Sequence, residues 1–295
     1  METFIAILLE TVRNEFKKPA PSWQQVSLEP TDLQFLNKEC NQSSEFDPTN
    51  KRQTMYQNLV KGKAPVVIAR CPYGQVTVVL ENPGQRGDIP WALWARILRL
   101  YSEKIGNTAP FKVFFLASTS LRQFPSGTKP ITPENINGGY TYHCNMETIF
   151  IYRAEDATRV LIHELQHASC LDHMEQGVDL VEAETEAWAE LLYAGLLSQG
   201  GKPLFHELVK KQADWMEAQN AVVKRHIHHE RQFPWRYTVG KEEVWERWGL
   251  LQKNKNILHS RASPHTLRHP MHSLRLTPPP SAALKRDFGA SSNIL

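Results

Sequence analysis

The apolar pattern changes character near residue 155, and that change limits the fold more than any other feature of the chain. Before it, short apolar runs stand apart between turn-forming residues: Pro65-Val-Val-Ile-Ala-Arg70, Gln75-Val-Thr-Val-Val-Leu80, Lys112-Val-Phe-Phe-Leu-Ala117 and Thr148-Ile-Phe-Ile-Tyr152. Runs rich in β-branched and aromatic residues, bounded in this way, read as strands, and Cys71-Pro-Tyr-Gly74 reads as a hairpin turn between the first two. After it, apolar residues recur at helical spacing. Helices are expected over about 156–173, 179–197, 204–230 and 241–253, with Gly177 and Gly200-Gly201 as breaks. The first half holds two more helices. One covers 1–17, where Phe4, Ile7, Leu8, Val12 and Phe16 share a face; the other covers 91–105, with Asp88 as its cap and Pro90 near its first turn. The polar stretch from Pro19 to about 55 reads as loop with short elements. A strand-containing first half followed by a helical second half is an α+β layout. Residues 1–255 are expected to form a single domain. The segment 256–295, with Pro-Pro-Pro and scattered His, is expected to be a disordered tail.

Within the first of the late helices stands His163-Glu164-Leu165-Gln166-His167. Residues four apart lie on one face of a helix, so the two imidazoles can hold one metal ion between them. Glu164 then sits beside the ion without being a ligand, where it can take a proton from bound water. A divalent metal lowers the pKa of such water from about 15.7 to about 7, which makes a nucleophile available at neutral pH. Zinc, one ion per chain, is the metal these ligands suit.

Catalytic zinc needs a third protein ligand and one open position. Glu186 is the first candidate. Gly177 allows the chain to turn back, and Glu182, Glu186 and Glu190 then share one face of the next helix. Glu190 could accept a hydrogen bond from a ligand imidazole and fix its orientation. His173 is the alternative third ligand, because His163, His167 and His173 form an HExxHxxCxxH run. That arrangement requires a helix break after His167. The position best suited to Gly is occupied by Cys170, which continues a helix more readily than it breaks one.

HExxH with a distant Glu on the following helix resembles the gluzincin branch of the zincin metallopeptidases. The residues that carry the likeness are His163, Glu164, His167 and Glu186, with Glu190 where thermolysin-like enzymes place an Asp; it spans about residues 145–195. The Glu186-Ala187 pair is also similar to the ligand helix of bacterial metallopeptidases that act on phage-type repressors. The departures are specific: no GxMxN motif precedes the helix, Thr185 precedes Glu186 where Asn is usual, and the metzincin-like spacing to His173 lacks its Gly and a Met-turn. The likeness implies a zincin-like fold and zinc-dependent cleavage of a peptide or protein substrate. It also implies that substrate binds as an added strand at an exposed sheet edge. Thr148–Tyr152 is expected at that edge, with Asn137-Gly-Gly-Tyr140 at its rim. An oxyanion stabiliser is needed as well. Tyr237 and His229 are the leading candidates, with His226, His228, Tyr140 and Tyr142 behind them.

The remaining features bear on partners and place. Residues 251–295 hold seven basic side chains against one acid, Asp287, which leaves +6 there and −3 elsewhere for a net +3. Such a tail could dock nucleic acid or an acidic partner. That supports an alternative reading: a non-catalytic binding protein on the same scaffold, with the tail as its docking segment. Cys40, Cys71, Cys144 and Cys170 form no CxxC pair and are expected as unpaired thiols, with Cys144 and Cys170 as small buried residues. No apolar run approaches the roughly 20 residues of a membrane span. The apolar run Phe4–Leu9 lacks a basic flank and reads as a packing helix. An intracellular, cytoplasmic location is the resulting expectation.

Overall fold

The structure is a computed structural model that describes residues 2–45, 47–106, 109–227, 233–251 and 273–279. It divides into two compact units, each assembled from separate stretches of chain.

The first unit comprises Lys18–Ser120 and Asn137–Leu171. At its centre lies a six-stranded mixed sheet of order β1-β2-β3-β4-β6-β5. The strands are β1 (Gln24–Gln25), β2 (Val66–Cys71), β3 (Gly74–Leu80), β4 (Phe111–Ala117), β5 (Gly139–Tyr140) and β6 (Ile149–Ile151). β2 and β3 pair as the expected hairpin, with Cys71 opposite Gly74. β3, β4 and β6 run parallel, so each step between them needs a crossover. The alternation along β4 shows how the layers form. Phe114 and Leu116 pack into a cluster with Leu36, Cys40 and Met55 from α2 (Pro30–Asn41) and α3 (Lys51–Val60). Phe115 points the other way, with its ring centroid 5.5 Å from that of Trp94 on α4 (Trp91–Ile105). Helices therefore cover both faces, which is why these strands are almost wholly apolar.

α2 and α3 replace the loop expected between residues 19 and 55. Their apolar residues are too few and too interrupted by polar ones to give a helical period, and it is the sheet face that selects them. α4 has the expected bounds, but Pro90 and not Asp88 stands at its cap; Asp88 closes a 3-10 turn over Pro83–Asp88.

The second unit comprises Met1–Lys17, Leu121–Ile136 and Asp172–Pro279. It is helical: α1 (Glu2–Lys17), α5 (Pro133–Ile136), α7 (Val178–Leu197), α8 (Lys202–Val223), α9 (Phe233–Tyr237) and α10 (Val239–Arg247). α7 is its axis, with α1, α8, α9 and α10 against it. Ala183, Ala187, Leu191 and Ala194 are buried there. The small alanines allow close approach: the indole of Trp245, itself fully buried, donates to the Ala187 carbonyl at 3.1 Å.

One part of the expected tail has structure. Ser273–Pro279 packs into the helical unit, with Leu274 and Leu276 buried beside Ile131, Ile136 and Val223. The rest of the 256–295 segment lies outside the described residues. No helix among the described residues is long and apolar enough to cross a membrane.

Candidate metal centre

α6 (Ala157–Ala168) carries the HExxH run and is buried along almost its whole length. It follows β6, and Asp156 at its start adopts the left-handed conformation, with φ 60°. Two side chains of α4 hold it. Trp94 Nε1 donates to Thr158 Oγ1 at 2.8 Å, and the Tyr101 hydroxyl donates to the Ile162 carbonyl at 3.1 Å. His163 and Glu164 are buried and His167 is half-buried. The Nε2 atoms of His163 and His167 lie 3.0 Å apart. Two zinc–nitrogen bonds of about 2.0–2.1 Å at a tetrahedral angle put the nitrogens roughly 3.3 Å apart. The donor pair therefore fits one zinc ion after a shift of a few tenths of an ångström.

The sheet edge beside this helix is β5, not β6. The strand expected at the edge over Thr148–Tyr152 forms over Ile149–Ile151 and is interior: it pairs with β4 on one side and with β5 on the other. Two residues suffice for β5 because Gly139 admits α6 so closely. A Cβ at Gly139 would stand 2.7 Å from Val160 Cγ1, 3.0 Å from the Phe150 carbonyl oxygen and 3.1 Å from Glu164 Oε1. The Glu164 carboxylate is thus seated against the backbone of the edge strand. Tyr140, the next residue, points to the opposite face. Its ring stacks on Phe150 and its hydroxyl donates to Glu39 Oε2. Burial pushes the Tyr140 pKa up, and the neighbouring Glu39 carboxylate pushes it further. Tyr140 therefore packs in the α2–α3 layer, with its hydroxyl committed to Glu39. Tyr142 is exposed, with its ring 6.4 Å from that of Tyr140.

α6 ends at Ala168, five residues before the expected end. Cys170 takes the left-handed conformation, with φ 54°, where a helix cannot continue. A covalent tie explains why a residue other than Gly stands there: Cys170 is disulfide-bonded to Cys144. The Cys144 amide also donates to the His167 carbonyl at 3.0 Å. The two cysteines expected as buried thiols are thus exposed and paired, while Cys40 and Cys71 are the free, buried ones. Burial pushes the Cys40 thiol up to about 12, so it stays protonated at neutral pH. Disulfides persist in oxidising compartments. The cysteines therefore give the cytoplasmic expectation no support.

In the helical unit, His173 leads into a 3-10 turn over Met174–Gln176. Its side chain is 69% exposed and its Nδ1 lies 3.5 Å from Glu175 Oε1. The acids of α7 differ in burial: Glu182 is half-buried, whereas Glu186 and Glu190 are buried. Glu190 Oε1, expected to accept from a ligand imidazole, accepts instead from Lys241 Nζ at 2.9 Å. Thr185, beside Glu186, donates to Asp172 Oδ1. Tyr237 packs on Phe233 with ring centroids 5.2 Å apart. His226 is buried, with Nδ1 2.7 Å from the Lys129 carbonyl and its ring stacked on Phe124, which is a packing role. His228 and His229 lie outside the described residues.

No family model, no curated protein and no solved structure matches this chain.

Proposed function

We propose that this protein is a zinc-dependent peptidase of the zincin type, with His163 and His167 as metal ligands and Glu164 as general base. One observation carries the reading: two imidazole nitrogens 3.0 Å apart on a buried helix, with the intervening Glu164 against the edge strand. A surface helix with two solvated histidines would have no reason to bury Glu164.

The third ligand is a carboxylate of α7. Glu190 is engaged by Lys241, which leaves Glu182 and Glu186. Both lie on the acidic face of α7, and the zinc content of their alanine variants tells them apart. Glu182 is one turn nearer the start of α7 than Glu186 and was legible in the sequence only as a member of the acidic stripe.

A bound zinc ion supplies Lewis acidity, to the scissile carbonyl and to water alike. The chain's own groups do the rest. The substrate backbone extends the sheet at β5 through main-chain hydrogen bonds. Glu164 Oε1 takes the proton that water loses as its oxygen bonds to the carbonyl carbon. The same carboxyl gives that proton to the departing amine nitrogen as the C–N bond breaks, leaving one new carboxylic acid and one new amine, which settle as carboxylate and ammonium. Burial of Glu164 excludes competing water from this transfer.

The test is Glu164→Gln, assayed against a library of peptides alongside zinc content. Activity is expected to fall by about 10²–10⁴-fold, the usual worth of a general base, with zinc retained. Full activity with zinc still bound would overturn the mechanism.

A further inference from the structure

The backbone of His167 is held by both halves of a disulfide. The Cys144 amide donates to the His167 carbonyl at 3.0 Å and the Cys170 amide at 3.2 Å, and the two cysteines are bonded to each other. Cys170 closes α6 in a Schellman arrangement: its own amide returns to His167, and the Leu171 amide returns to the Gln166 carbonyl at 3.2 Å. This places Cys170 in the left-handed region, with φ 54°, which a residue bearing a Cβ adopts at a cost. Cys144 stands in the same region, with φ 58°, in the turn that joins β5 to β6. The disulfide thus ties the edge hairpin to the last turn of the helix that carries the imidazole pair.

The other holds on α6 lie upstream or on side chains. Trp94 binds Thr158, and Tyr101 binds the Ile162 carbonyl. The Tyr101 hydroxyl also lies 3.3 Å from Gln166 Oε1, a side-chain contact that leaves the His167 carbonyl to the cysteines. The hairpin turn keeps an anchor of its own, the Lys112 amide on the Met146 carbonyl at 2.7 Å. Loss of the disulfide would therefore free the helix end and leave the sheet in place. Ala168 and Ser169 stay packed, so the movement is local. A local movement suffices, because bonds to a metal tolerate only about 0.2 Å.

We propose that the Cys144–Cys170 disulfide is a redox clasp on the last turn of α6: oxidised, it sets His167 for metal binding, and reduced by a dithiol, it releases the helix end and weakens the metal's hold. The loss of metal rests on the zinc reading given above; the release of the helix end does not. Both sulfurs are exposed, and exposed disulfides are the ones that exchange readily. A thiolate of the reductant bonds to Cys170 Sγ as the S–S bond breaks, and Cys144 leaves as a thiolate. His143 Nδ1, 3.3 Å from Cys144 Sγ, stands where it can donate to that sulfur. The reductant's second thiol then displaces Cys170 from the mixed disulfide. Two electrons and two protons pass to the cysteine pair, and the dithiol ends as a disulfide. Cys40 and Cys71 are buried and take no part.

The test uses the full chain, freed of metal and treated with dithiothreitol, which is then removed without air. Alkylation under native conditions should modify Cys144 and Cys170 alone. Amide hydrogen exchange should quicken about tenfold or more over residues 167–171 and stay unchanged in β4 and in α6 ahead of Ile162. Zinc affinity, measured against a competing chelator, should fall by about 10–100-fold and recover when oxidised glutathione rejoins the pair. Cys144→Ser with Cys170→Ser should show both changes without reductant, which excludes zinc capture by the freed thiols. Cys144→Ser with Cys170→Gly should bind zinc more tightly than the serine pair, because Gly accepts the left-handed conformation. A disulfide that resists the dithiol, global unfolding on reduction, unchanged exchange over 167–171, or zinc affinity equal in the oxidised protein and the serine pair would each overturn the proposal. If exchange responds but neither form takes up zinc, the zinc reading fails and the clasp on the helix end stands.

Discussion

Tyr140 shows how one residue's direction separates structure from chemistry. It follows Gly139, which touches Glu164, yet its hydroxyl is committed to Glu39 on the opposite face. The tyrosine pKa is raised by burial and by that carboxylate, so the folded state keeps the phenolic proton above the ordinary value near 10. The sign follows: above pH 10 the unfolded chain releases a proton that the folded chain holds, and stability falls as pH rises. Tyr140→Phe should lack this alkaline loss. At pH 7 it should be less stable by about 1–3 kcal/mol, because buried Glu39 loses its donor. Denaturant midpoints at pH 7 and pH 10.5 check both parts. Which way Tyr140 faced was not legible, since the Gly-Gly-Tyr run has no period. His163, Glu164 and His167 were legible because their relation is local, a four-residue step within one helix. The third ligand was not, because it depends on how the chain turns after Ala168. That turn depends in turn on a disulfide partner 26 residues away.

At the scale of elements, β5 and α6 meet closely at one edge of the sheet unit. Their closeness rests on Gly139, where a methyl group would meet Val160, the Phe150 carbonyl and Glu164 at once. Gly139→Ala should cost about 1–3 kcal/mol of stability, the usual range for overpacking. It should also displace Glu164 and lower the proposed peptidase activity with zinc content unchanged. Unchanged stability and activity would mean that β5 and α6 are not held together as described. The strands and the long helices were legible because their apolar patterns repeat over many residues. β5 was not: two residues carry no pattern, and its pairing with β6 made it the edge that β6 had been expected to be. α2 and α3 escaped for the related reason that they owe their form to the sheet they cover.

At the scale of the whole molecule, each unit has its own core, and the helical one is organised around buried charge. Lys241 and Glu190 are 0% and 1% exposed. Removing one partner of such a pair leaves the other uncompensated, so Lys241→Met should destabilise by about 3–5 kcal/mol. Glu190→Leu combined with Lys241→Met should recover much of that loss. Thermal unfolding of the two variants distinguishes this from a pair of no consequence. The central claim is the zinc site, and the zinc content of the purified protein, measured by mass spectrometry beside His163→Ala, Glu182→Ala and Glu186→Ala, tests it most directly. One zinc per chain is expected, lost in His163→Ala and in one of the two glutamate variants. The glutamate whose removal releases zinc is the third ligand. A wild-type protein that carries no zinc and takes up none on titration would contradict the account.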